Sequence, residues 1–168
     1  KFPFIPFIQI FIQKNYQTYN EEEKTFLVKT KQFCPPTPGQ VWNKEKKPYM
    51  LPLHIALLNG KGEEMPLTTP SVLILTQEEE EFIFKNVTER PIPSLNRNFS
   101  APIKLKTNYT LDDFIFLLGH DQDLFIRWDA HQQLVTKLFQ GLMTDFQRGK
   151  AYKDLQLNPG YVESFGKL

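Results

Sequence analysis

Three histidines, His54, His120 and His131, are the side chains of this chain best suited to a transition metal. No two of them have the three-to-five spacing that sets a pair of imidazoles on one helix face, and His-Glu-x-x-His does not occur. His54 lies inside the apolar run Leu51 to Leu58 and reads as a packed histidine. His120 follows a helix end, where an imidazole meets the terminal carbonyls. His131 falls in mid-helix. Asp121, Asp123 and Asp129 invite a calcium reading. A calcium loop needs a central Gly and a closing Glu, however, and here Leu124-Phe125-Ile126 follows, so helix capping accounts for these aspartates better. Asp112 and Asp113 form no acid–base dyad, because adjacent helical residues do not face one another.

Nucleophiles are equally scarce. Ser100 sits between Phe99 and Ala101 and lacks the flanking glycines of a nucleophile elbow. Cys34, beside Pro35-Pro36, has no basic helix terminus to lower its pKa. Gly60 and Gly62 belong to a hairpin turn rather than a phosphate loop. The aromatic and basic residues of Phe7 to Lys14 read as hairpin core, not as a stacking platform for nucleic acid. The expectation is that no catalytic, cofactor-binding or metal residue lies in this chain.

Composition narrows the class further. The 168 residues are 40% hydrophobic and include 15 Phe, enough for a sizeable core. Twenty basic against nineteen acidic side chains give a formal charge of +1, which offers no field for nucleic acid or an anionic membrane. The acidic runs Glu21 to Glu23 and Glu78 to Glu81 read as solvated turn tips. Cys34 is the single cysteine, which excludes an internal disulfide and fits a reducing, intracellular (cytoplasmic) compartment. No apolar run is long enough to span a bilayer, and the greasy stretch Phe2 to Ile12 reads as a strand, not a signal peptide. The sequons at Asn86, Asn98 and Asn108 read as coincidence in a β protein.

These residues hang on a run of strands. Period-two alternation predicts strands over Phe7 to Gln13 and Thr25 to Phe33, joined as a hairpin through a polar turn at Tyr16 to Lys24. Cys34 to Pro48 is a proline-rich connector that cannot be a central strand. Tyr49 to Leu58, Val72 to Thr76, Glu81 to Val87, Ser94 to Phe99 and Ile103 to Lys106 continue the series, with positive-φ turn residues at Asn59-Gly60-Lys61-Gly62. About seven short strands at this spacing predict an antiparallel, Ig-like β-sandwich.

Helices follow. Thr110 caps the first, its hydroxyl placed to accept from the Asp113 amide, and Gly119 ends it. Asp121 or Asp123 caps a second that runs to about Phe146, with an apolar stripe of Leu124, Phe125, Trp128, Val135, Leu138, Phe139 and Leu142. Arg148 to Gly160 is a polar loop, and Tyr161 to Leu168 opens a third helix. Two helices and a stub cannot bury both their faces, so the unit must stack on further helices in an α-solenoid or pack on another domain. The expected domains are 1–107, the sandwich, and 108–168, the first helices of a superhelical domain. Lacking an initiating Met and stopping within a helix, the chain reads as a piece of a longer protein whose exposed helical end would self-associate in isolation.

Particular residues carry a resemblance. Thr37-Pro38-Gly39-Gln40, Glu45-Lys46-Lys47-Pro48 with Leu51-Pro52, Val87 to Pro93 leading into Ser94-Leu95, and Phe99-Ser100-Ala101-Pro102-Ile103 resemble the β-sandwich domain of zinc aminopeptidases of the aminopeptidase N type. That family carries Phe-Ser-Ala-Pro-Val, so Ile103 is a conservative departure. Asp123 to Ala130, ending Arg127-Trp128-Asp129-Ala130, resembles the start of the family's C-terminal helical domain. The likeness runs from about Thr25 to Phe139.

The resemblance implies a four-domain exopeptidase, in which this segment follows a thermolysin-like catalytic domain and bridges it to a helical superhelix. It implies zinc in the whole enzyme, held by His-Glu-x-x-His and a downstream Glu. Peptide substrate would be held through Gly-Ala-Met-Glu-Asn. None of these motifs occurs here, so no site residue carries over, and the partners expected are the other domains of the same chain. The competing readings are a stand-alone Ig-like protein-binding module and, less favoured by the charge, a small nucleic-acid-binding β domain.

Overall fold

A computed structural model describes residues 8–12, 17–34, 47–154, 156 and 159–165. They form two compact units. The first comprises the described residues of Lys1–Gly60 and Glu64–Asn108; the second comprises those of Lys61–Glu63 and Tyr109–Leu168.

The first unit is built on strand β3, Thr25–Phe33, whose burial alternates residue by residue. Phe26, Val28, Thr30 and Gln32 are buried, while the residues between them are not. Strand β1, Ile8–Ile12, pairs antiparallel with the end of β3, Gln9 opposite Phe33. Strand β6, Glu79–Lys85, runs antiparallel along the other edge, with Phe26 opposite Phe84. Phe84 is fully buried and Ile83 is exposed, the alternation expected of that strand. Strand β8, Ile103–Thr107, adds to β1 in parallel, the one parallel pairing among the described strands. On its exposed outer face this sheet carries Lys29 bridged to Glu81, and Lys31 to Glu79 at 2.6 Å.

The expected polar turn at Tyr16 to Lys24 is instead a hairpin of its own. Strand β2, Gln17–Asn20, pairs with Thr25–Val28 of β3, and only the tip is a turn. Asn20 makes it tight: its Oδ1 accepts from the amides of Glu22 at 3.0 Å and Glu23 at 3.2 Å. Polar residues persist in β2 because it lies partly exposed, so period and polarity alone did not mark it as a strand.

A three-stranded sheet completes the unit: β5, Val72–Leu75; β4, Leu51–Leu58; and β7, Ile92–Leu95. The neighbours divide β4 between them, β5 pairing with Leu51–His54 and β7 with Ile55–Leu58. Leu53, Ile55 and Leu57 are fully buried, each stabilising by about 1.5–3 kcal/mol. The strand expected over Ser94 to Phe99 ends at Leu95 and turns into a 3-10 segment, Arg97–Phe99. Asn96, Asn98 and Phe99 there have positive φ, 67°, 54° and 50°, a region closed to extended backbone. In the turn after β4 only Gly62 takes a positive φ, 85°, so Gly60 is not used that way. The connector expected over Cys34 to Pro48 lies, for residues 35–46, outside the described residues.

The helical unit opens with α1, Leu111–His120, one residue past the expected stop at Gly119. Thr110 caps it reciprocally: its Oγ1 accepts from the Asp113 amide at 3.1 Å, and Asp113 Oδ2 accepts from the Thr110 amide at 2.8 Å. Helix α2, Leu124–Gln147, is about 36 Å long and is capped by Asp123, which accepts from the Ile126 amide at 3.0 Å. A short turn, Tyr152–Asp154, leads to α3, Pro159–Phe165. Pro159 and Gly160, expected in the preceding loop, are the first helical residues; proline suits a helix start because it has no amide to satisfy there.

Candidate functional site

The helical unit gathers a group of polar side chains around the start of α1 and α2. Tyr109, buried just before α1, meets Phe114 edge to face at 5.5 Å. Lys137 Nζ donates to the Tyr109 carbonyl at 3.1 Å and lies 5.1 Å from the centre of the Phe114 ring. Burial pushes the Tyr109 phenol well above its ordinary value, and Asp113, Asp121 and Asp129 add to the rise. Burial also raises Asp129, against the hydrogen bond from Gln133 Nε2 at 2.6 Å, which lowers it. Asp121 Oδ1 accepts from the Asp123 amide at 2.8 Å, and Arg127 Nε donates to the Leu118 carbonyl at 3.0 Å. Apart from the Gln133–Asp129 bond, which lies within α2, each bond ties a helix end or a helix pair. The cluster is a clasp at the α1–α2 corner; of the calcium-like aspartates Asp121 and Asp123 serve as caps, whereas Asp129, expected to cap as well, lies within α2 and accepts from Gln133 one turn on.

The histidines go separate ways. In the sandwich unit the His54 amide donates to Ser100 Oγ at 2.9 Å, and Ser100 Oγ donates to Asn96 Oδ1 at 3.1 Å. Ser100 thereby closes part of the β4 edge that β7 leaves unpaired. His120 stacks on Phe116 at 4.8 Å and packs on Gly62, where an added Cβ would come within 2.6 Å of His120 Cβ. His131 stacks with Tyr161 at 6.2 Å. Among the described residues no group of three or more His, Cys, Asp or Glu could hold a metal ion. No helix is long and apolar enough to cross a membrane among those residues.

The surface of α2 corrects the expected stripe. At 100° per residue, Ile126, Ala130 and Leu134 share one face, and these are the buried residues, toward α1. Leu124, Trp128, Phe139 and Phe146 cluster on nearly the opposite face and are exposed, Leu124 by 76% and Trp128 by 57%. The expected stripe, Leu124 to Leu142, is the open side of the helix, and it left out the packed seam of Ile126, Ala130 and Leu134. Ten residues of α1 cannot cover twenty-four of α2 on both sides. This open stripe is the candidate functional surface of the helical unit.

Gln32 and Asn96 escaped the sequence reading. Gln32 is buried with its carboxamide on Tyr49 and Gln77, and Asn96 is buried with its carboxamide on Ala101. The only signal for Gln32 was a polar residue at the inward position of an alternating run, and Asn96, past the end of β7, had none.

Comparison with known proteins decides the affiliation. A family model described as a domain of unknown function with an Ig-like fold, DUF3458, matches residues 13–108. A second, DUF3458_C, described as ARM repeats, matches residues 111–168. The chain belongs to the aminopeptidase N family, as its Ig-like domain followed by ARM-repeat helices. It is 35% identical over 137 residues to aminopeptidase N of Escherichia coli (strain K12), covering 79% of this chain and 15% of that protein. It is 34% identical over 146 residues to aminopeptidase N of Haemophilus influenzae, covering 84% and 16%. A solved structure of Legionella pneumophila aminopeptidase A in complex with aspartic acid matches with a TM-score of 0.70 and 30% identity, over 95% of this chain and 16% of that one. The chain thus spans about a sixth of these relatives' length.

Proposed function

We propose that this chain is a non-catalytic segment of a zinc-dependent aminopeptidase that releases N-terminal amino acids from peptides. Its work is geometric: the sandwich joins the catalytic domain to the helical domain, and the zinc and the substrate's amino terminus are handled elsewhere in the polypeptide. The observation that carries this reading is the tandem match to an Ig-like and an ARM-repeat model, in relatives about six times as long. The two-faced α2 supports it, since an ARM-type helix needs neighbours on both sides.

The same reading puts the domain boundary at residues 107 and 108, makes the partners the other domains of one chain, and sets the protein inside the cell. The prolines at the ends of Pro91 to Pro102, the stretch that holds β7 and the 3-10 segment, would stiffen the sandwich, because proline restricts its own φ and the residue before it. Sequencing the complete transcript tests the proposal. Codons for His-Glu-x-x-His upstream of Lys1 and for several hundred helical residues after Leu168 are expected. A gene encoding only these residues would favour the stand-alone Ig-like binding module instead.

A further inference from the structure

We propose that Asn59–Gly60 is a self-modification site, at which the asparagine side chain is lost as ammonia through a cyclic imide. It is the one Asn-Gly pair in the sequence. It sits where β4 ends: Leu58 is bridged to Glu64 and the Met65 amide donates to the Leu57 carbonyl at 2.8 Å, so residues 59–63 form an anchored loop outside the ladder. Gly60 is exposed and carries no side chain to hinder ring closure.

A second feature points to the same chemistry. The Gly60 amide, the atom that must attack, faces Glu89 Oε2 at 3.4 Å, and that carboxylate oxygen is also the nearest atom to where a Gly60 Cβ would stand. Glu89 takes the amide proton as the Gly60 nitrogen bonds to Asn59 Cγ. The Cγ–Nδ2 bond then breaks, ammonia carries off the proton, and a succinimide remains. Water opens the ring at either carbonyl, giving Asp or isoaspartate; no oxidant or reductant takes part. The product takes the formal charge from +1 to zero. In the isoaspartate product it also inserts a methylene into the backbone of a loop that packs Gly62 on His120 with no room for a Cβ.

Three exposed asparagines act as internal controls: Asn86, Asn98 and Asn108 are followed by Val87, Phe99 and Tyr109, whose side chains obstruct the imide. The test ages the folded full chain at neutral and mildly alkaline pH. Peptide mass spectrometry then reads amide-to-acid conversion, and hydroxylamine cleavage traps the succinimide. Conversion confined to Asn59, faster at higher pH, slowed severalfold by E89Q and abolished by N59Q is the expected result. An intact Asn59, or conversion no faster than at Asn86, Asn98 and Asn108, overturns the site. A rate unchanged in E89Q, or slower in the folded than in the urea-unfolded chain, overturns the assistance assigned to Glu89.

Discussion

Gln32 holds Tyr49 by both of its backbone polar groups: the Tyr49 amide donates to Gln32 Oε1 at 2.9 Å, and Gln32 Nε2 donates to the Tyr49 carbonyl at 3.1 Å. The same Nε2 donates to the Gln77 carbonyl at 2.8 Å. One buried side chain on β3 thus pins the entry to β4 and the exit from β5. Gln32→Ala would strand these groups and is expected to cost about 2–3 kcal/mol, seen as a lower urea midpoint with an unchanged slope. Glu22→Ala on the exposed hairpin tip should stay within about 0.5 kcal/mol.

Gly62 and Gly149 separate space from conformation. Both have positive φ, 85° and 94°, but only Gly62 has a neighbour in the way, His120, while nothing lies within 4 Å of a Cβ on Gly149. Gly149→Ala should cost about 1–2 kcal/mol, from the left-handed backbone alone. Gly62→Ala should cost clearly more, because backbone or imidazole must shift as well. Thermal melts of the two variants check this; equal losses would show that the His120 contact is slack.

Asp129 gives a pH dependence with a definite sign. Burial raises its folded pKa above the usual 3.8, so the folded state binds this proton more tightly than the unfolded one. The stability it supports is full below 3.8 and falls as pH rises through the folded value. Asp129→Asn should therefore stabilise the helical unit at neutral pH and flatten this slope, since asparagine can still accept from Gln133. Urea midpoints measured across the acid range test it.

Tyr109 should behave as a buried phenol. Held protonated by burial and by Asp113, Asp121 and Asp129, it should show no phenolate absorbance near pH 10 until the helices unfold. Because its folded pKa is raised, its stabilising effect is lost only as pH rises past the ordinary value of 10.0. Tyr109→Phe would remove one late, unfolding-linked step from an ultraviolet titration.

The open face of α2 should be dispensable for folding and responsible for association. Trp128→Gln with Phe139→Gln is expected to change stability by less than about 0.5 kcal/mol, since both side chains are exposed. The unaltered chain should self-associate with rising concentration and the double variant should not. Sedimentation velocity distinguishes them.

Legibility followed physical regularity. The alternation of β3, the Thr110 cap and the Asp123 cap were readable because each rests on one periodicity or one hydrogen bond between near neighbours in sequence. Strand β2 was not, because its partner β3, rather than its own composition, makes it a strand. The left-handed turn at Asn96 to Phe99 hid inside a run that looks extended, since its cause is the Asn96 carboxamide on Ala101. On α2 the large apolar residues drew the reading to the open side, and the packed seam of Ile126, Ala130 and Leu134 was missed, because which face is covered depends on α1. The resemblance to aminopeptidase N came from combined motifs that are structural, which is why it identified the family without naming a site.

The central claim is that these residues supply a scaffold and no part of a peptide-cleaving site. Its most direct measurement is turnover of aminoacyl amides by the purified chain, with metal content determined on the same sample. No hydrolysis and no stoichiometric zinc are expected. Zinc-dependent turnover that survives repurification and is lost on substituting His54, His120 or His131 would contradict it.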